Sequence, residues 1–178
     1  MSKDTKSKNK PPNEEQLQVA LDNFAGIVKN LEYYENNIDS IIKLPIDVVM
    51  LATTGYYVSL GQLIKNKQGM DYRYIFKLYE KALEENKGYA VQNEMLKKNI
   101  SVLKEWEKSL EYEMQHILEL RDKYFAHIDF VDKGFFLKQI QNKDKNQQND
   151  LVKFFRSMIV VSNDYSAAVI KAHTNNFK

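Results

Sequence analysis

Residues 93–129 read NEMLKKNISVLKEWEKSLEYEMQHILELRDKYFAHID, and this stretch decides the fold class. One face of it returns every three or four positions, at Leu96, Ile100, Leu103, Trp106 or Glu107, Leu110, Met114, and Ile117 or Leu118, and is apolar at nearly every step. That spacing lines one face of an α-helix and not one face of a strand. The stretch therefore predicts the longest amphipathic helix of the chain, which starts near Asn93 and carries its stripe as far as Arg121.

The rest of the chain shows the same helical spacing. Four further helices are predicted, at about 13–42, 46–65, 71–83 and 148–173. Asn13 and Asp71 are suitable N-caps, and Pro45 either stops the first helix or opens the second. Five helices of this length in antiparallel order predict an all-α, antiparallel bundle.

Polar segments mark the expected ends of the domain and its loops. Residues 1–12 (MSKDTKSKNKPP) predict a flexible basic tail, so that residues 13–178 form a single helical domain. The sequence NKQG at 66–69 predicts a turn, and the polar run 141–150 (QNKDKNQQND) predicts a loop. The motif Asp132-Lys133-Gly134 is a helix stop signal.

Composition excludes several classes of function. The chain has no cysteine and only three histidines, none of them in an HxH or HxxxH pair, so no metal site is expected. A net charge of +2 with mixed signs does not predict a protein that coats nucleic acid. Polar residues interrupt the most apolar stretch, 46–64, which predicts a buried helix and no membrane span. No signal peptide is visible, and the expected location is the cytoplasm.

The segment 121–129, RDKYFAHID, is where chemistry is expected. Arg121 follows Ile117 by four residues and so continues the buried face of its helix. An inward-pointing arginine needs an anion or a partner subunit, unless it extends out to solvent. His127 follows Lys123 at i+4, and Asp129 follows Asp122 by seven residues.

A structural reading of the same residues remains open. Arg121 could be a helix-end arginine that bonds backbone carbonyls or a glutamate, and His127 could be a histidine at a helix C-terminus. His116 and His173 are assigned to structural roles. Glu113 and His116 have an ExxH spacing, but a di-iron site needs two such copies and the chain has one.

The segment resembles the motif of the HEPN superfamily: Arg, a polar residue, three to five others, and then His. The AHID sequence at 126–129 resembles the AbiU-like, abortive-infection branch in particular. The close match covers these nine residues, and helix order and length extend a softer likeness over 13–173. The resemblance implies a HEPN-like fold and a metal-independent, cofactor-free endoribonuclease of toxin or phage-defence type.

The resemblance also implies roles for individual residues. His127 would exchange protons with the ribose 2′-hydroxyl or with the leaving oxygen, and Arg121 would hold the scissile phosphate. Asp122 would orient Arg121 or His127, with Lys123, Tyr124 and Asp129 in support. The partners implied are an RNA substrate, a second copy of the chain, and an antitoxin or a nucleotidyltransferase.

Helix geometry limits how this motif could work. Six residues of a continuous α-helix turn about 600°, which would point Arg121 and His127 about 120° apart. Either the helix breaks near Ala126, or two subunits contribute to a shared cleft, which is the usual arrangement in the family. Two classes of function remain: a HEPN-type ribonuclease with a composite dimer site, and a non-catalytic HEPN-like module that dimerises or binds a protein or a nucleotide.

Overall fold

Helices account for nearly all of the residues that the computed structural model describes, which are 14–65, 71–125 and 145–175. The helices are α1 (Glu14–Asn36), α2 (Ile38–Ile41), α3 (Ile46–Ile64), α4 (Tyr72–Glu85), α5 (Ala90–Ser109), α6 (Glu111–Leu120) and α7 (Lys145–Asn175). A π-helical turn, Arg121–Phe125, follows α6 directly. No strand occurs in these three ranges, and the predicted all-α class is confirmed. The HEPN-like arrangement of the helices stays a prediction.

Two helix starts follow from local sequence as expected. Pro45 is the N-cap of α3, with an extended backbone (φ −52°, ψ 142°), and the helix begins at the next residue. Asp71 is the N-cap of α4, and its side chain accepts a hydrogen bond from the backbone N–H of Arg73 at 3.1 Å. This bond satisfies one of the N–H groups that a helix start leaves without a partner.

The described ranges divide into more helices than the five or so predicted, because two of the predicted helices are interrupted. The first is broken at Asn37, which separates α1 from α2. The fourth is broken at Leu110, whose backbone (φ −99°, ψ 2°) lies in the sparsely populated bridge region. Leu110 remains 6% exposed, so the break leaves the apolar stripe intact. Counting the short α2, the described ranges contain seven α-helices.

The last helix also departs from the expectation. It begins at Lys145, so residues 145–150 are helical and do not form the predicted loop. With 31 residues α7 is the longest described helix, longer than α5 or α6, which share the stretch predicted to hold the longest. Asparagine and glutamine carry only a small helix penalty, which a helix already packed further along can absorb. The predicted tail, Asn13, the turn 66–69 and the 132–134 stop signal lie outside the described residues.

The core is centred on α7. It packs against α1, α4, α5 and α6, and its Phe154, Phe155 and Met158 are fully buried. The ring of Phe155 meets the edge of Phe24 in α1, and that of Phe154 meets Trp106 in α5. Each such phenylalanine stabilises the fold by roughly 1.5–3 kcal/mol through removal of apolar surface from water.

The second layer is formed by α3, which packs against α1, α2 and α6 and supplies the buried Leu60, Leu63 and Ile64. Its C-terminal end also contacts the π-helical turn. Among the described residues, no helix combines the length and the apolar character needed to cross a membrane.

Candidate functional site

The predicted motif begins where α6 ends. The buried face of α6 is formed by Met114, Ile117 and Leu120, and regular α-helix stops at Leu120. Arg121 to Phe125 form the π-helical turn, a geometry that is rare and is frequently found at functional sites. A π-helical turn places more residues in each turn than an α-helix does, so the 120° separation expected for a continuous α-helix does not apply to residues 121–125. The relative direction of Arg121 and His127 stays a prediction, since His127 lies outside the described residues.

Arg121 points toward α3, as its position on the stripe predicted. Its side chain is only 19% exposed. The Nη1 atom donates to the carbonyl oxygen of Gly61 at 3.0 Å and to that of Lys65 at 3.2 Å. These are carbonyls of the last turn of α3, where the negative end of the helix dipole favours a cation.

The neighbouring acid completes the contacts of the guanidinium. Nε of Arg121 donates to Oδ1 of Asp122 at 2.8 Å, and Nη2 lies 2.7 Å from the same oxygen. Asp122 itself is 66% exposed. Asp122 thus touches Arg121 directly, so that the carboxylate is placed to hold the orientation of the guanidinium.

Gly61 is a part of this site that the sequence analysis missed. A Cβ atom at this position would stand 2.4 Å from Cδ of Arg121 and 3.1 Å from its Nη1. Any side chain here would therefore displace the arginine from α3. A glycine inside an apolar helix is a signal of close approach, but Gly55 of the same helix faces open space, so the signal alone does not identify the residue.

Of the other four predicted site residues, two lie within the described residues. Lys123 is exposed in the π-helical turn, and Tyr124 follows it in the same turn. His127 and Asp129 lie outside the described residues. The structure therefore brings Arg121 and Asp122 together, at the end of α3, and the position of the predicted proton-transfer residue is not described.

The histidines that were assigned to structural roles are both described. His116 is exposed on α6, and Nδ1 of His173 lies 2.8 Å from the hydroxyl of Tyr89, which links the end of α7 to the start of α5. Within the described ranges, no group of three or more His, Asp or Glu residues could hold a metal ion.

Buried tyrosines provide the shifted pKa values of the structure. Burial raises the pKa of Tyr72 to about 12, helped by its hydrogen bond to Glu107 at 2.7 Å. Burial also raises the pKa of Tyr79, and burial followed by the charge of Glu35 raises that of Tyr56 well above the usual value. These hydroxyls stay protonated at neutral pH and serve as hydrogen-bond donors in the core.

Comparison with known proteins adds no family to these observations. No family model, no curated protein and no solved structure matches the chain.

Proposed function

We propose that the chain is a metal-independent endoribonuclease of toxin or phage-defence type, with Arg121, Asp122 and His127 as its catalytic residues. The observation that carries the proposal is the Arg121–Asp122 pair at the π-helical turn after α6. A largely buried guanidinium held by an exposed carboxylate is oriented before any ligand arrives, which is what stabilisation of a charged transition state requires.

The proposed reaction needs a base, an acid and a cation. The ribose 2′-oxygen bonds to phosphorus, the bond from phosphorus to the 5′-oxygen breaks, and a proton passes in net from the first oxygen to the second. His127 exchanges that proton at one of the two oxygens, and Arg121 holds the phosphate as negative charge grows on it. The products carry a 2′,3′-cyclic phosphate and a 5′-hydroxyl.

A phosphate must compete for the guanidinium in this proposal. Nη1 is bonded to two neutral carbonyl oxygens. A phosphate carries a full negative charge and can accept two parallel bonds from a guanidinium, neither of which a neutral carbonyl offers, so substrate can draw Nη1 away from α3. Asp122, by keeping hold of Nε, would limit that movement to a small rotation.

The experiment incubates purified protein with total RNA in EDTA, beside the variants His127→Ala and His116→Ala. His116 is the matched control, because it is an exposed histidine on α6 six residues before Asp122. We expect the wild type and His116→Ala to cleave RNA to cyclic-phosphate ends, and His127→Ala not to. Cleavage that persists in His127→Ala, or an inert wild type, contradicts the proposal.

The composite dimer site is part of the proposal and has its own test. We expect Arg121→Lys and His127→Ala to be inactive separately, because lysine lacks the planar fork of arginine. If each site takes arginine from one subunit and histidine from the other, a mixture of the two variants contains a dimer with one intact site. Activity that returns on mixing supports the composite site, and a mixture that stays inactive contradicts it.

A non-catalytic HEPN-like module, acting by dimerisation or by binding a protein or a nucleotide, is the second candidate. It is favoured by the contacts of Nη1, which resemble those of an arginine that caps a helix C-terminus. On this alternative Arg121→Lys lowers the free energy of unfolding, and wild type and His127→Ala are equally inert toward RNA.

A further inference from the structure

A second feature adjoins the motif: a cleft of about 820 Å³ between α4, the end of α5, and α6. This volume lies within the range of small-ligand pockets, about 300–1,000 Å³. The cleft lies at the α5–α6 junction, since Lys108 and Ser109 line it before Leu110 and Glu111 and Tyr112 line it after Leu110.

Basic side chains form one part of its lining. Arg73, Lys104 and Lys108 contribute three positive charges, and Glu107 and Glu111 contribute two negative ones. One of the two acids already has a partner in the protein, since Oε1 of Glu107 accepts a hydrogen bond from the hydroxyl of Tyr72. With three positive and two negative side chains, the lining carries a net charge of +1.

The lysines of the cleft are available to a ligand. Lys104 is exposed, with its Nζ 5.7 Å from the centre of the Phe76 ring. Lys108 is paired with Glu105 at 3.1 Å, but both side chains are more than 70% exposed. Such exposed pairs are weak and strongly screened, so a phosphate can displace Glu105 at little cost.

An aromatic ring lies beside these charges. Tyr112 lines the cleft and is 81% exposed, the largest exposed fraction among the large apolar and aromatic side chains of the described residues. A tyrosine ring open to solvent next to cations is the combination with which proteins bind single-stranded nucleic acid, since bases stack on the ring and phosphates meet the cations.

The cleft leads toward Arg121 from two sides. Leu118 of α6 lines it, and Arg121 follows three residues later, one turn along the same helix face. Ile64 of α3 lines it too, and the next residue, Lys65, offers its carbonyl oxygen to Arg121. The cleft therefore borders the turns of α6 and α3 that precede Arg121 and its carbonyl partner Lys65.

We propose that this cleft binds single-stranded RNA, as the segment of substrate strand next to the phosphate held by Arg121. Lys104, Lys108 and Arg73 contact backbone phosphates, and Tyr112 stacks on a base. The choice of RNA as the nucleic acid rests on the proposed ribonuclease function, whereas the cleft residues themselves were not part of that proposal.

The test measures binding of a fluorescein-labelled single-stranded RNA of about 12 nucleotides by fluorescence anisotropy. All proteins carry His127→Ala so that the probe is not cut. Lys104→Ala/Lys108→Ala removes two cleft charges, and Lys153→Ala/Lys171→Ala removes two exposed charges from α7. Lys153 matches Lys108 closely, since it too pairs with an acid three residues earlier and is 64% exposed.

We expect the cleft double variant to raise the Kd about tenfold in low salt, and the α7 double variant to leave it within about twofold. The slope of log K against log[salt] is negative, and its magnitude should decrease by about 1.4, the value for two lost single-strand phosphate contacts. Tyr112→Ala should raise the Kd about tenfold with the slope unchanged, and Tyr112→Phe should bind as the parent does.

Three outcomes overturn the inference: no binding by the parent protein, equal binding by the two double variants, or a Tyr112→Ala variant that binds like the parent. Cleavage assays on the same substitutions in chains that retain His127 separate this inference from the proposed function. His127-dependent cleavage with a cleft variant that binds normally overturns the cleft alone. Loss of binding in the cleft variant, together with an inert wild type, supports the cleft as a binding site and contradicts the nuclease.

Discussion

Arg121 lies across α3 at Gly61 so closely that a Cβ atom on Gly61 would stand 2.4 Å from the arginine's Cδ. Sixty residues separate the two along the chain. Because glycine leaves this space open, the guanidinium reaches the carbonyl oxygens of Gly61 and Lys65 and still contacts Asp122. The end of α3 and the first residue of the π-helical turn therefore form a single polar unit.

Gly61→Ala should expel Arg121 from this position. We expect the free energy of unfolding to fall by about 1–3 kcal/mol, because the added methyl overlaps the arginine, and displacing the arginine breaks its hydrogen bonds to the carbonyl oxygens of Gly61 and Lys65. Urea denaturation measures the change. Gly55→Ala is the control, since a Cβ there meets nothing within 4 Å. Better helix propensity should make that variant more stable by up to about 1 kcal/mol. Equal effects at the two glycines would contradict the close approach.

Asp122→Asn should show that Asp122 orients the guanidinium of Arg121 while contributing little to the free energy of unfolding. The pair is exposed on the aspartate side, so we expect the free energy of unfolding to change by less than about 1 kcal/mol. If the proposed function holds, RNA cleavage should fall about tenfold or more, because the neutral amide holds the guanidinium less firmly. Asp164→Asn, which makes the same charge change at an exposed site on α7, should cleave as the wild type does. A fully active Asp122→Asn would remove Asp122 from the site.

Asn93 should be a strong stabilising residue of the core. Its Nδ2 donates to the carbonyl oxygen of Asn86 at 2.8 Å, and its Oδ1 accepts from the hydroxyl of Tyr165 at 2.7 Å. Asn93→Ala removes both hydrogen bonds, of which the one to Tyr165 is buried, and this should lower the free energy of unfolding by about 1–3 kcal/mol. Asn37→Ala removes an exposed bond to the carbonyl of Tyr33 and should cost less than about 1 kcal/mol. A cost at Asn93 no larger than at Asn37 would contradict this account.

Stability should fall at alkaline pH. In the folded chain the pKa of Tyr72 is raised to about 12 by burial and by its bond to Glu107, and the pKa values of Tyr56 and Tyr79 are raised as well. In the unfolded chain these hydroxyls ionise near pH 10, so the unfolded state binds fewer protons above that pH. The stabilisation is therefore complete below about pH 10 and is lost as pH rises toward about 12. Urea denaturation across this range measures it, and Tyr72→Phe should show a smaller loss than the wild type.

The helices that could be predicted from the sequence are those with strong local signals. Pro45 and Asp71 mark the starts of α3 and α4, because one fixes the backbone and the other satisfies a free N–H. The break at Leu110 could not be predicted. No proline or glycine marks it, and Leu110 is buried like Leu103 before it and Met114 after it, so the apolar spacing is that of an unbroken helix.

The candidate site, like the helices, could be predicted from the sequence only in part. That Arg121 points inward follows from its spacing to Ile117, which is a local property of one helix. The spacing does not predict which groups bind the guanidinium. Two of its partners are backbone carbonyls at the C-terminal end of α3, and every residue has a carbonyl. The basic side of the cleft could not be predicted for a related reason. Arg73, Lys104 and Lys108 come together only because α4 packs beside α5.

The position of α7 in the chain has a consequence for synthesis. The helix that carries Phe154, Phe155 and Met158, and on which four other helices pack, is made after all of them. A ribosome will have translated the Arg121 motif before the residues that close the hydrophobic core have been added. The motif is therefore synthesised while the chain is still incompletely folded. If the proposed function holds, the chain gains its activity toward RNA only after α7 has been synthesised and has packed, and not while the ribosome is still making it.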